Sequence, residues 1–117
     1  MRTSLLLACL LLAMTDQAQT SAPQLAHATA YDAAKFNSTM VLNNGSAKAI
    51  VFALKAGQDV PSHSSPTDAL FTVLEGDGTV MIADSVHVVN AGGYIILPKA
   101  VDHHIRATSD MKFVLVK

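Results

Sequence analysis

The chain has 117 residues, room for at most one domain. A formal net charge of −1, with no basic run and no aromatic–basic interleaving, excludes nucleic acid as a partner. Cys9 is the only cysteine, so neither an internal disulfide nor a thiolate metal cluster holds the fold together.

Taken in chain order, residues 1–20 read as a secretory signal. Arg2 supplies the positive start, and residues 5–14 form an apolar run of about ten residues, too short to span a bilayer as a helix. Small residues at Ala18, Thr20 and Ala22 put cleavage within 18–22, although Asp16 spoils the match at Ala18. Leu6-Leu7-Ala8-Cys9 resembles a lipobox, but Cys9 sits inside the apolar run instead of at its end. Ordinary export, to the periplasm or the medium, is therefore expected over lipidation, with no stable membrane insertion. Cleavage would leave roughly 95–100 residues, enough for one small core. Packing alone, or packing with dimerisation, must then stabilise it.

Residues 21–37 are Ala-rich without an apolar stripe, and are expected to form an arm or a short helix. Residues 38–117 change texture to short Val- and Ile-rich runs broken by turn residues. Strands are expected at 39–43, 47–55, 69–74, 79–83, 86–89, 94–97, 103–107 and 112–116. Asn44-Gly45, Gly76-Asp77-Gly78 and Gly92-Gly93 supply the positive φ that tight turns need. About eight short strands with such regular turns indicate an all-β barrel or sandwich. Closing the sheet, or pairing with a second copy, would protect its edges.

Two segments carry the candidate chemistry. The first has Gly57, His63, Ser65, Asp68, Ala69 and Gly76; the second has Gly92, Pro98, Ala100, His103 and Ala107. Together they resemble the two motifs of the cupin family. In the first family motif a glycine precedes His-x-His, a glutamate and a second glycine. Here Gly57, His63 and Gly76 match, while Ser65 replaces the second histidine and Ala69 the glutamate. In the second motif Gly92, Pro98 and His103 match, while Ala100 replaces a glycine and Ala107 an asparagine.

The resemblance implies a cupin jelly-roll β-barrel of six to eight strands, with a pocket at its mouth and often a homodimer. It also implies a divalent metal (Fe, Mn, Ni, Zn or Cu) on three histidines and a glutamate, of which only His63 and His103 remain. Two imidazoles fall short of the three or four protein ligands of a stable site. Asp68 would help only if it lies on an irregular loop, because one residue's shift on a strand turns a side chain to the other face.

The expected pocket residues are His63, Ser65, Phe71, Tyr94 and His103, with His63, His103 and Asp68 as the metal candidates. His104 should face away from His103 on an extended strand, and His27 and His87 are read as ordinary. Glu75 is the sole glutamate, which rules out a catalytic glutamate pair. Three functions follow. The leading one is an exported protein that binds a small molecule, with or without a metal. The second is a metal-dependent oxygenase or isomerase, or a metal-free enzyme with one histidine as base and a hydroxyl such as that of Tyr94 as acid. The third is a structural dimer with a vestigial pocket. The residues leave catalysis itself open.

Overall fold

The computed structural model describes residues 17–117; residues 1–16, most of the expected signal segment, lie outside it. Nine strands make up the described fold: β1 (Asn37–Asn43), β2 (Lys48–Leu54), β3 (Asp59–His63), β4 (Ala69–Glu75), β5 (Asp77–Ile82), β6 (Ser85–Asn90), β7 (Tyr94–Leu97), β8 (His103–Ala107) and β9 (Met111–Val116). They form two antiparallel sheets, ordered β1-β2-β9-β4-β7 and β3-β8-β5-β6. This is the jelly-roll arrangement that the cupin resemblance implies, and it is all-β as the spacing of the turns indicates.

Alternation along each strand decides what fills the interior. Phe71 and Val73 of β4, Phe113 and Leu115 of β9, and Ile105 and Ala107 of β8 are buried in one core cluster. The Phe113 ring lies 4.5 Å from that of Phe71 and stacks at 4.8 Å on that of Phe52. Each buried Phe contributes about 1.5–3 kcal/mol by leaving water. The outer face is partly covered too. Lys112 of β9 is 8% exposed, and its Nζ donates to the Ala26 carbonyl at 2.7 Å. Tyr31 donates to Glu75 Oε1 at 2.7 Å, and the Lys112 ammonium lies 4.8 Å from the Tyr31 ring centre. The expected arm is thus a strap on the outside of the barrel. Its regular structure is a single 3-10 turn, Leu25–His27.

One strand escapes the sequence pattern. Residues 59–63 carry Pro61, which has no N–H to donate, and so read as a turn-rich opening. They form β3 because that strand lies at the edge of its sheet and pairs only with β8. Among the described residues, no helix is long and apolar enough to cross a membrane.

Candidate functional site

The register of β3 against β8 builds the site. Val60 pairs with Ile105 and His63 with His103, so Pro61 and Ser62 together stand opposite His104. In an unbroken ladder, Ser62 would face His103 and His63 would turn outward. The extra residue is a bulge, and bulges re-aim side chains. Here it brings both imidazoles to the same face.

His103 is 3% exposed and follows the inward row of Ile105 and Ala107, whereas His63 is open to solvent. The two Nε2 atoms lie 3.2 Å apart, with the rings edge-on at 69°. His63 Nδ1 is 2.8 Å from the Pro61 carbonyl. A carbonyl only accepts, so Nδ1 carries the proton and His63 Nε2 keeps a lone pair. The neutral pair is then satisfied when His103 donates from Nε2 to His63 Nε2. This leaves His103 Nδ1 buried without a hydrogen-bond partner. Burial pushes the His103 pKa below the ordinary 6.5, and His63 and Lys117 push it further the same way. The Val101 carbonyl and Asp102 oppose the drop. The Val101 interaction is electrostatic, since no hydrogen bond of good geometry reaches Nδ1.

The other expected residues scatter. Ser65 is buried, and its carbonyl accepts from Ala100 N at 2.7 Å, tying the loop before β4 to the loop before β8. Ala69 is buried at the start of β4 on the row of Phe71, so the family's glutamate position does face inward but carries only a methyl. Phe71 belongs to the closed core between Phe113 and its neighbours.

Two expectations are corrected. Asp68 is exposed, and its Oδ1 accepts from Lys99 N at 2.8 Å, so it ties down a loop and does not join the imidazoles. Tyr94 is 72% exposed, because Ile95 and Leu97 take the inward positions of β7. It lies outside the pocket, on an outer row with Ile96, Leu70 and Val116, and cannot serve as the acid for a histidine base. His104 does face away from His103, with Nε2 3.1 Å from Asp59 Oδ1. His27 and His87 are exposed.

The donor set can be tested against a metal. Two nitrogens 3.2 Å apart can both lie about 2.1 Å from one ion, closing an angle of about 100°. Among the described residues, however, no third His, Cys, Asp or Glu joins them. A hydroxyl at Ser65 and a methyl at Ala69 supply none of the charge that a divalent ion needs. The family's resident metal therefore does not fit these residues.

Sequence reasoning missed Lys48 and Lys117. Lys48 precedes Ile50, Phe52 and Leu54, and Lys117 follows Phe113 and Leu115, so both continue inward-facing rows to the mouth. The period-two pattern already contained this signal. Both lysines, with Gly45, Ser46, Ser65 and Thr67, line a cleft of about 240 Å³.

Comparison with known proteins agrees with the fold. The family model described as Cupin domain matches residues 50–117. An RmlC-like cupin from Desulfovibrio desulfuricans is 29% identical with a TM-score of 0.73, over 84% of this chain and 95% of that one. A conserved protein of unknown function from Streptococcus pyogenes is 26% identical with a TM-score of 0.67, over 85% and 94%. A cupin superfamily protein from Desulfitobacterium hafniense, 16% identical, shares the fold at a TM-score of 0.79 over 85% and 91%. No curated protein matches the chain.

Proposed function

This chain belongs to the cupin family, and we propose that it is an exported small-molecule-binding cupin that needs no resident metal. The ligand contributes a hydroxyl group, received between His63 and His103. The observation that carries this reading is the 3.2 Å Nε2–Nε2 pair with its assigned protons. One Nε2–H and one Nε2 lone pair address a common point. A hydroxyl is both donor and acceptor, so it can take the proton from His103 and give its own to His63. The exchange replaces one hydrogen bond with two. His63, exposed at the mouth, is the accessible half of the pair, and buried His103 is the fixed half.

The 3.2 Å spacing also supports a second reading, a metal-dependent oxygenase or isomerase. A divalent ion there would supply Lewis-acid or oxygen-activating chemistry. The missing carboxylate and third imidazole weigh against it.

A thermal-shift panel of sugars, polyols, amino acids and organic acids decides between them, with elemental mass spectrometry on untagged protein. The expected result is a ligand that raises the melting temperature of wild type but not of His103→Ala, in protein free of stoichiometric metal. A ligand at a hundred times its Kd adds about 2.7 kcal/mol of stability, which such a panel resolves easily. Stoichiometric metal that disappears in the His63→Ala, His103→Ala double variant would instead establish the metalloenzyme. Export is tested separately: the secreted product should begin within residues 18–22.

A further inference from the structure

A pair of lysines stands next to the position where the resemblance implies a carboxylate. Lys48 and Lys117 face each other across the end of the β2–β9 ladder, exchanging backbone hydrogen bonds of 2.7 and 2.9 Å. Residues paired in this way present their side chains on the same face of the sheet. Leu70 pairs with Val116, so Ala69 lies beside Lys117 on the neighbouring strand. At the place where the resemblance implies a metal-binding glutamate there is a methyl, and the adjoining position holds an ammonium group.

Like charges directly opposite each other destabilise a sheet. Among the described residues, the ion pairs are Lys55 with Asp110, His104 and Arg106 with Asp59, and Lys112 with Glu75. Neither Lys48 nor Lys117 is in one. No Asp or Glu side chain lines their cleft. The nearby carboxylate of Asp68 is engaged by Lys99 N. The Lys117 main-chain oxygen accepts from Lys48 N across the ladder. An anion between the two ammonium groups would turn a repulsion into two attractions.

We propose that this barrel mouth is a charge-inverted cupin site. Lys48 and Lys117, flanked by Ser46, Ser65 and Thr67, bind the carboxylate of a small organic acid. This rests on the hydroxyl-binding reading above and adds a charge to that ligand, making it a small hydroxy acid. Ser65 lines the cleft, and its carbonyl accepts from Ala100 N in the loop that leads into β8 and His103, so the cleft and the imidazole pair lie at the same end of the barrel. The cleft, about 240 Å³, falls below the 300–1,000 Å³ of sites for drug-sized ligands, which limits the acid to a few carbons.

The test is titration of the full chain with malate, succinate, inorganic phosphate and glycerol at constant ionic strength, followed by amide NMR. Malate and succinate should shift Ser46, Ser65 and Thr67 saturably, with malate the tighter. Lys48→Gln and Lys117→Gln should each weaken malate at least fivefold, while Lys99→Gln, outside the cleft, should not. Without added acid, Lys117→Gln should melt at or above the wild-type temperature, which separates lost binding from lost folding. Shifts no larger than those from chloride would overturn the proposal, as would undiminished affinity in both cleft variants. Phosphate binding without malate binding would overturn the carboxylate assignment. Glycerol binding that depends on His103, with neither acid bound, would leave the hydroxyl reading standing and remove this one. Equal affinity for malate and succinate would support the lysine site while removing the hydroxyl contact.

Discussion

Ala100 has φ +61, in the left-handed region, at a position where the family motif carries glycine. Two hydrogen bonds hold it there: its own N–H to the Ser65 carbonyl at 2.7 Å, and Lys99 N to Asp68 at 2.8 Å. An L-residue in this conformation costs about 1–2 kcal/mol because Cβ crowds the carbonyl oxygen. Replacing Ala100 with glycine removes that strain but gives the unfolded chain more freedom, a loss of about 0.5–1 kcal/mol. The methyl is exposed, so its removal opens no cavity. The difference spans about 0–1.5 kcal/mol, so Ala100→Gly is expected to stabilise the protein by about 0.75 kcal/mol. In a domain of this size that is a rise in Tm of about 3–6 °C. Circular dichroism melts, paired with urea titrations of unchanged slope, measure it. A Tm equal to or below that of wild type would refute the reasoning, since relief of strain would then not exceed the entropy lost.

Other changes have equally definite expectations. Gly76 has φ +77, and a Cβ there would fall on the Asp110 carbonyl oxygen. Gly76→Ala should cost about 2–5 kcal/mol from the conformation and the overlap combined, read as a large fall in the urea midpoint. Tyr31→Phe removes the 2.7 Å bond to Glu75 and should cost about 0.5–1.5 kcal/mol. It should also speed tryptic cleavage after exposed Lys35 in the strap; unchanged cleavage would mean that the remaining contacts, Lys112 to Ala26 and Gln58 to Asp32 among them, suffice to hold it. The His103 pKa lies below 6.5, so between its folded value and 6.5 the unfolded chain binds the extra proton. Its contribution to stability is full above about pH 6.5 and is lost as pH falls through the folded pKa. A histidine NMR titration with a midpoint at or above 6.5 would contradict this. Restoring the family ligands with Ser65→His and Ala69→Glu should bring metal occupancy close to about one ion per chain, measured by elemental analysis after loading with Zn or Ni.

Much of the fold was legible because it rests on local chemistry. Gly45, Gly76 and Gly92 all adopt the positive φ that marked the turns. Strands β7 and β8 match the expected 94–97 and 103–107, since period-two alternation reports the buried face directly. Strand β3 was not legible, because Pro61 is compatible with a strand only at an edge, and edge position is a property of the sheet. Tyr94 was misplaced for a related reason: which half of an alternating tetrapeptide faces inward depends on what lies behind it.

The chemical groups of the site are readable residue by residue: two histidines, no cysteine in the described barrel, a serine and an alanine at ligand positions, and lysines at the start of β2 and just past β9. How these groups meet is set by the packing of the strands. His63 faces His103 because the ladder slips by one residue at Pro61 and Ser62. Lys117 stands beside Ala69 because β9 runs between β2 and β4. A local pattern restricts which face of a strand is buried, but the bulge in β3 and the order of the strands arise from contacts between residues far apart in the chain.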